Sequence, residues 1–321
     1  MSTTVSVAVV SFNTRELTLR CLKAAEESAK GNGTVLTVVD NGSSDGTVEA
    51  VRRNCPAWRV VEAPENPGYG SALNRALREA PGWSYLTLNS DILLGPDALR
   101  ILADFLHRHP DCGLVGPALT YPDGRPQPSA KRFPSSPFAL AEVCWLNALF
   151  PRNRLVRRFY YEDQDLANNP WVDTVSGAAM FIRGEAFQKV GGFDEGFRMY
   201  FEETDLCRRL HDAGYRVAFC PQATAIHWHG ASTIQTSVRQ VEYYLSYVHY
   251  FRKHHGLVAA RILSAAIALN TVARMLALPL KYSPLTRQRR EILRGKLAAC
   301  CRLLRQLWRP PTGRASTETL P

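Results

Sequence analysis

Apolar positions along the first third of the chain form short unbroken runs, separated by stretches in which they recur every three or four residues. The runs VSVAVVSF (5–12), TVLTVVD (34–40), WRVVEA (58–63) and WSYLTL (83–88) have the length and β-branched content of buried strands. Between and after them, RELTLRCLKAAEESA (15–29), the segment opened by SSDGT (43–47), YGSALNRALREA (69–80) and GPDALRILADFLHRH (95–109) carry helical spacing. Asn13 or Thr14 is placed to start the first helix, and Pro96 suits the first turn of the last. Strands buried on both faces, alternating with helices through short turns, predict an α/β fold: a mostly parallel sheet flanked by helices.

The alternation fails between 121 and 170, where YPDGRPQPSAKRFPSSP and PRNRLVRRFYYEDQD are rich in proline and arginine. This stretch reads as a mobile or acceptor-side insertion rather than core. Regularity returns at WVDTVSGAAMFIRGEAFQKVGGFDE (171–195) and MYFEETDLCRRLHDAGYRVAFCP (199–221). From 238, VRQVEYYLSYVHY predicts an aromatic-rich helix packed on the body. The apolar stretch after it has a longest charge-free run between arginines, 262–273, of twelve residues, short of the about 20 that span a bilayer. RQRREILRGKLAACCRLLRQLWRP then sets Ile292, Leu293, Leu297, Leu303, Leu304 and Leu307 among basic residues. An amphipathic helix lying on an anionic leaflet has this pattern. A pair of core helices capping the domain with a solvated basic face has it too. The expected division is a catalytic-size domain of 1–235 and a helical, basic region of 236–321.

Charge supports that division. The 321 residues carry a net +10, but fourteen Lys or Arg against two acids lie from Phe251 onward. The first 250 residues are left with twenty-five bases against twenty-seven acids. A neutral body with a basic tail points to an anionic partner, a membrane surface or nucleic acid; no nucleic-acid reader motif accompanies the charge, which makes nucleic acid the weaker choice. The eight cysteines form no CxxC pair and match no His spacing of a zinc site, a usage that fits a reducing cytoplasm. The first residues, MSTTVSVAVVSFN, have neither the basic start nor the cleavage site of a signal peptide.

Parallel sheets bind ligands at the carboxyl ends of their strands, where strand order switches. Polar residues gather at those ends: Asn13 after the first strand, DNGSSDGT (40–47) after the second, ENPGYG (65–70) after the third and NSD (89–91) after the fourth. Turn chemistry alone favours such residues at any one of these places. Four on one rim make a binding crevice the better reading. Asp91 follows the apolar LTL and precedes ILL, where an unpaired carboxylate costs several kcal/mol, so it emerges at an edge or meets a cation. GYGSAL (68–73) lacks the third glycine of a dinucleotide fingerprint and follows the wrong strand, which argues against a dehydrogenase. Farther on, Glu202, Glu203 and Asp205 open a helix. Acids in a first turn complement its dipole, and three in four residues can also raise one another's pKa and tune a general base. His227 and His229 alternate in AIHWHGAST, where a lone histidine would be structural.

Taken together, VAVVSFNTRELTLRCLKA (7–24), VVDNGSSDGT (38–47), NPGYGSALNRA (66–76), LTLNSDILL (86–94), VSGAAMFIRGEAFQKVGGFDEGF (175–197), FEETDLCRRLHDAGYRVAFCP (201–221) and HWHGAST (227–233) resemble the family 2 inverting glycosyltransferases of GT-A fold, the bacterial rhamnosyltransferase branch in particular. The resemblance implies a nucleotide-sugar donor held by Ser11, Asn13, Asp40, Gly68, Asn74, Asn89 and Asp91. It implies Mg²⁺ or Mn²⁺ bound by Asp91, the last residue of a DxD-like NSD, with His227 as a further ligand. The family's ED pair, which supplies the base, falls on Glu202 and Glu203 with Asp205 nearby; glutamate stands at 203 where aspartate is usual. The implied reaction moves L-rhamnose from dTDP-rhamnose to a polyprenyl-diphosphate-linked or surface-polysaccharide acceptor, at the inner face of the cytoplasmic membrane. A UDP-hexose donor, or a noncatalytic module that kept the fold, are the alternatives.

Overall fold

A computed structural model describes residues 4–30, 33–228, 236–281 and 287–308. The four predicted strands form as β1 (Val5–Ser11), β2 (Thr34–Asp40), β3 (Arg59–Glu62) and β4 (Ser84–Asn89). After them come β5 (Ile92–Leu94), β6 (Cys112–Thr120), β7 (Ala179–Arg183) and β8 (Arg216–His227), together building the main path of a ten-stranded sheet in the order β3-β2-β1-β4-β7-β6-β8-β5. The β3-β2-β1-β4 half is parallel. β7 is antiparallel to both β4 and β6, and β5 is antiparallel to β8. Side chains of β1 alternate faces. Val5, Val7 and Val9 join Leu22, Leu99 and Leu102 in one core, and Ala8 and Val10 join Leu73, Leu77 and Leu206 in another. Helices α1 (Arg15–Ser28), α2 (Thr47–Asn54), α3 (Tyr69–Glu79) and α4 (Ala98–Arg108) cover these faces.

A third core departs from the expected division. It joins α5 (Ser136–Val143) to the turn before α6 (Glu202–Asp212) and to α7 (Thr236–His254), α8 (Gly256–Lys281) and α9 (Arg287–Gln306). Ala139 and Val143, Phe197 and Phe201, Tyr247, Tyr250 and Phe251 share it with Leu263, Ile267, Leu303 and Leu307. The aromatic-rich helix therefore packs on the body as the pattern predicts. The 121–170 stretch is partly core, because α5 lends it an apolar face. Leu303 and Leu307, which the pattern left open to lipid or to a capping core, are buried inside the protein. The bounds 1–235 and 236–321 thus cut through one hydrophobic cluster.

Candidate active site

The register of β1 sets the rim. Ser11 pairs with Asp40 and Val10 with Asn89, so the carboxyl ends of β1, β2 and β4 finish at one level. At the end of β2, Asp40 is buried; its Oδ1 accepts from the backbone N–H groups of Gly42 (3.1 Å) and Ser43 (2.8 Å). Its Oδ2 is buried and meets no donor among the described residues. A buried orphan acceptor costs free energy unless a ligand supplies the missing N–H. Asn13 holds a left-handed conformation (φ 50°) that asparagine tolerates, and its Oδ1 accepts from the Ser44 N–H at 2.7 Å. The turn after β1 is thereby stapled to the loop after β2.

The NSD turn lies between β4 and β5. β5 pairs with β8 so that Ile92 faces His227, and the Trp228 N–H donates to the Asp91 carbonyl at 3.0 Å. That pairing brings His227 Nε2 to 3.3 Å from Asp91 Oδ1, both side chains about nine-tenths buried. His227 Nδ1 lies 2.8 Å from Gln127 Oε1, a contact that holds the ring with Nε2 toward the carboxylate. One hard oxygen and one imidazole nitrogen side by side suit a divalent ion. No group of three or more His, Cys, Asp or Glu that could hold one exists among the described residues, so an ion here would draw further ligands from other oxygens, water or a substrate. Residue His229 lies outside the described residues.

Glu202 and Glu203 open α6, which packs on the face that α3 covers. Tyr200 (φ 69°) and Phe201 (φ 65°) are consecutive left-handed residues just before α6, a strain of about 1–3 kcal/mol each. Stacking holds the turn: the Phe201 ring lies on Tyr247 with centroids 4.6 Å apart. Glu202 is buried, its Oε2 meets no donor among the described residues, and its pKa stands well above the usual carboxylate range because of burial and then the charge of Glu203. Glu203 is only half-buried, lies over Gly177, where an added Cβ would come within 3.2 Å of its own Cβ, and accepts from the Thr204 hydroxyl at 3.2 Å. Tyr69, at the start of α3, joins the two halves of the site. Its hydroxyl donates to the Gly177 carbonyl at 2.9 Å, and burial, then the charges of Glu202, Glu203 and Asp91, push its pKa well up. Nothing in the sequence pattern singles out Tyr69, since an aromatic residue at the head of an apolar helix looks like core.

Several expected site residues are scaffold instead. Ser11 is fully buried and bonded to Thr18 Oγ1 at 2.7 Å, in a hydroxyl chain that runs through Thr14 to Ser90. Asn74 donates to the Phe193 carbonyl (2.8 Å) and Glu195 Oε1 (3.0 Å) and accepts from the Phe193 N–H (2.9 Å), which commits both of its N–H donors to the scaffold. Gly68 (φ +99°) is needed for close approach, since a Cβ there would stand 2.5 Å from the Arg198 carbonyl oxygen. Asp205 is 0% exposed and bonded by Arg209 (2.7 Å), Lys253 (2.8 Å) and His254 (2.8 Å), so it ties α6 to α7 rather than completing a three-acid cluster. Asn89 is half-buried at the rim, where its backbone N–H donates to Ala178.

Comparison with known proteins agrees with the fold. The chain is 33% identical over 208 residues, 61% of its length and 67% of the relative's, to the N-acetylglucosaminyl-diphospho-decaprenol L-rhamnosyltransferase of Mycobacterium tuberculosis. Among solved structures it is similar to a mannosyltransferase of Pyrobaculum calidifontis in complex with GDP-Man and Mn²⁺ (TM-score 0.58, 19% identity, 95% of this chain and 88% of that one). It is also similar to glucosyl-3-phosphoglycerate synthase of Mycobacterium tuberculosis in complex with Mn²⁺ and UDP (TM-score 0.52, 16% identity, 77% and 78%). These establish the GT-A fold. Since the family described as "Glycosyltransferase like family 2" matches residues 3–242, the chain belongs to glycosyltransferase family 2 and is a glycosyltransferase.

Proposed function

We propose that the protein transfers L-rhamnose from dTDP-L-rhamnose, with inversion, to a sugar carried on a polyprenyl diphosphate at a membrane face. The observation that carries the catalytic reading is that Tyr69 sits beside the Glu202/Glu203 pair, its hydroxyl bonded to the Gly177 carbonyl over which Glu203 lies and its neighbour Gly70 against Glu202, while the charge of Asp91 also reaches it. The rhamnosyltransferase relative supports the sugar and the lipid-linked acceptor.

Each residue then has a chemical task. The free Oδ2 of Asp40 takes an N–H of the pyrimidine base, and Asn89 faces the ribose. Asp91 and His227 would hold Mg²⁺ or Mn²⁺, which would offset the charge of the leaving diphosphate. Glu203, the more accessible of the pair, accepts the acceptor hydroxyl's proton as that oxygen attacks the anomeric carbon and the bond to the diphosphate breaks. Burial, then the charge of Glu203, raises the pKa of Glu202 well above the usual carboxylate range, and its buried carboxyl is the less accessible of the two. The test is transfer from dTDP-rhamnose, against UDP-glucose and UDP-N-acetylglucosamine, onto a polyprenyl-diphosphate-linked N-acetylglucosamine, with and without Mn²⁺. Metal-dependent rhamnosyl transfer is expected. Transfer from a UDP-sugar alone would discard rhamnose and keep the fold and base.

A further inference from the structure

Large exposed apolar side chains gather in two places. Trp145, Leu146, Leu149, Phe150 and Leu155 follow α5, with Leu149 68% exposed. Val258, Ile262, Leu269, Val272 and Leu276 lie along α8, with Leu276 75% exposed. The two groups form one surface. The Arg274 guanidinium sits 5.9 Å from the centre of the Trp145 ring, and Asn270 Nδ2 donates to the Val143 carbonyl at 2.6 Å.

Helix α8 is apolar on both faces. Ala260, Leu263, Ile267 and Thr271 make a buried stripe at helical spacing, and the exposed residues make a second stripe opposite it. A helix apolar all round asks for an apolar environment on its open side as well. By length and composition alone, Gly256–Pro279 (24 residues, mean hydropathy 1.6) would cross a bilayer. Its inner stripe is docked on the protein, however, so lipid can cover only the outer one. Charge chooses the occupant. Arg152, Arg154, Arg157 and Arg158 accompany the first group, where Arg157 pairs with Glu162 at 3.6 Å, and Arg261 and Arg274 the second; neither 145–159 nor 256–281 contains an acid. A second copy would set these like charges against each other, whereas acidic headgroups complement them.

We propose that the outer face of α8 and the Trp145–Leu155 segment together form a docking face for an anionic bilayer, with α8 lying in the interface rather than through it. The proposal deepens the lipid-linked acceptor reading and uses none of its catalytic assignments. The layer that presents this face also stacks, through Tyr247, on the Phe201 that leads into Glu202. The full chain should sediment with phosphatidylglycerol–phosphatidylcholine vesicles and hardly with phosphatidylcholine alone, and added salt should weaken the binding. Leu149→Glu with Phe150→Glu, and separately Leu269→Glu with Leu276→Glu, should each cut vesicle binding by about tenfold or more while leaving unfolding temperature and donor binding unchanged. Undiminished binding by both variants overturns the proposal. So does loss only with Arg290→Gln and Arg294→Gln on α9, or a dimer that the glutamate variants dissolve. Absent rhamnosyl transfer in detergent, with vesicle binding intact, would instead overturn the functional reading alone.

Discussion

Replacing Asp205 by asparagine separates two roles that its place beside the ED pair confuses. Its carboxylate is 0% exposed and is met by Arg209 at 2.7 Å and by Lys253 and His254 at 2.8 Å; the substitution leaves the largely buried Arg209 without its counter-charge, while Lys253 keeps Asp194. Removing one partner of such a group costs about 3–5 kcal/mol; asparagine keeps one acceptor oxygen, which puts the expected loss near the lower end. At roughly 2 °C per kcal/mol for a chain of this size, the unfolding temperature should fall by roughly 6 °C. Burial opposes the ionised form, but the bonds from His254, Arg209 and Lys253 outweigh it and hold the Asp205 pKa below its ordinary value. The stabilisation is therefore fully present above the unfolded pKa and is lost as pH falls through the lower folded one. The gap between wild type and Asp205→Asn should be constant from neutral pH down to about 4 and should shrink below it. Calorimetry across that range is the assay, run beside transfer measured well under the unfolding temperature. An asparagine variant that unfolds within about 1 °C of wild type, yet loses transfer by orders of magnitude, would return Asp205 to the catalytic set.

Glu203→Gln should lower kcat by about 10²–10⁴-fold with donor affinity unchanged, as read by calorimetric titration. If Glu202→Gln does this instead, the roles of the pair are reversed. Asp40→Asn keeps the Oδ1 acceptor but sets an amide where Oδ2 now waits for an N–H, so donor affinity should fall by about tenfold or more with little change in unfolding temperature. Gly68→Ala meets both a positive φ and the Arg198 carbonyl oxygen at 2.5 Å, and should cost about 1–3 kcal/mol in denaturant unfolding. Asp91→Asn should abolish any increase in donor affinity that Mn²⁺ produces while preserving the fold, since Trp228 bonds its backbone carbonyl and not its carboxylate.

Local pattern carried much of this molecule. The parallel strands and their helices fall within a few residues of their predicted bounds, because runs of valine and leucine and the turns that end them are decided by near neighbours. The rim was legible for the same reason, as it is made of strand ends. Chemistry set by distant contacts was not. Nothing near Asn74 shows that Phe193 and Glu195 will consume its amide, and nothing near Asp205 announces Lys253 and His254. His227 is instructive, because its spacing in the chain said only strand. Pairing of β8 with β5 then fixed which residue opposes Ile92, and a register slip of one would have turned the imidazole away from Asp91. The same applies to the third core. The arginine- and proline-rich stretch looked unable to pack by itself, and it does not pack by itself: α5 gains its partners from α7 and α8. The charge that made the stretch look loose lies instead beside Trp145–Leu155, where the exposed apolar residues are, so a single feature of the sequence misled about packing while marking the surface most in need of a partner.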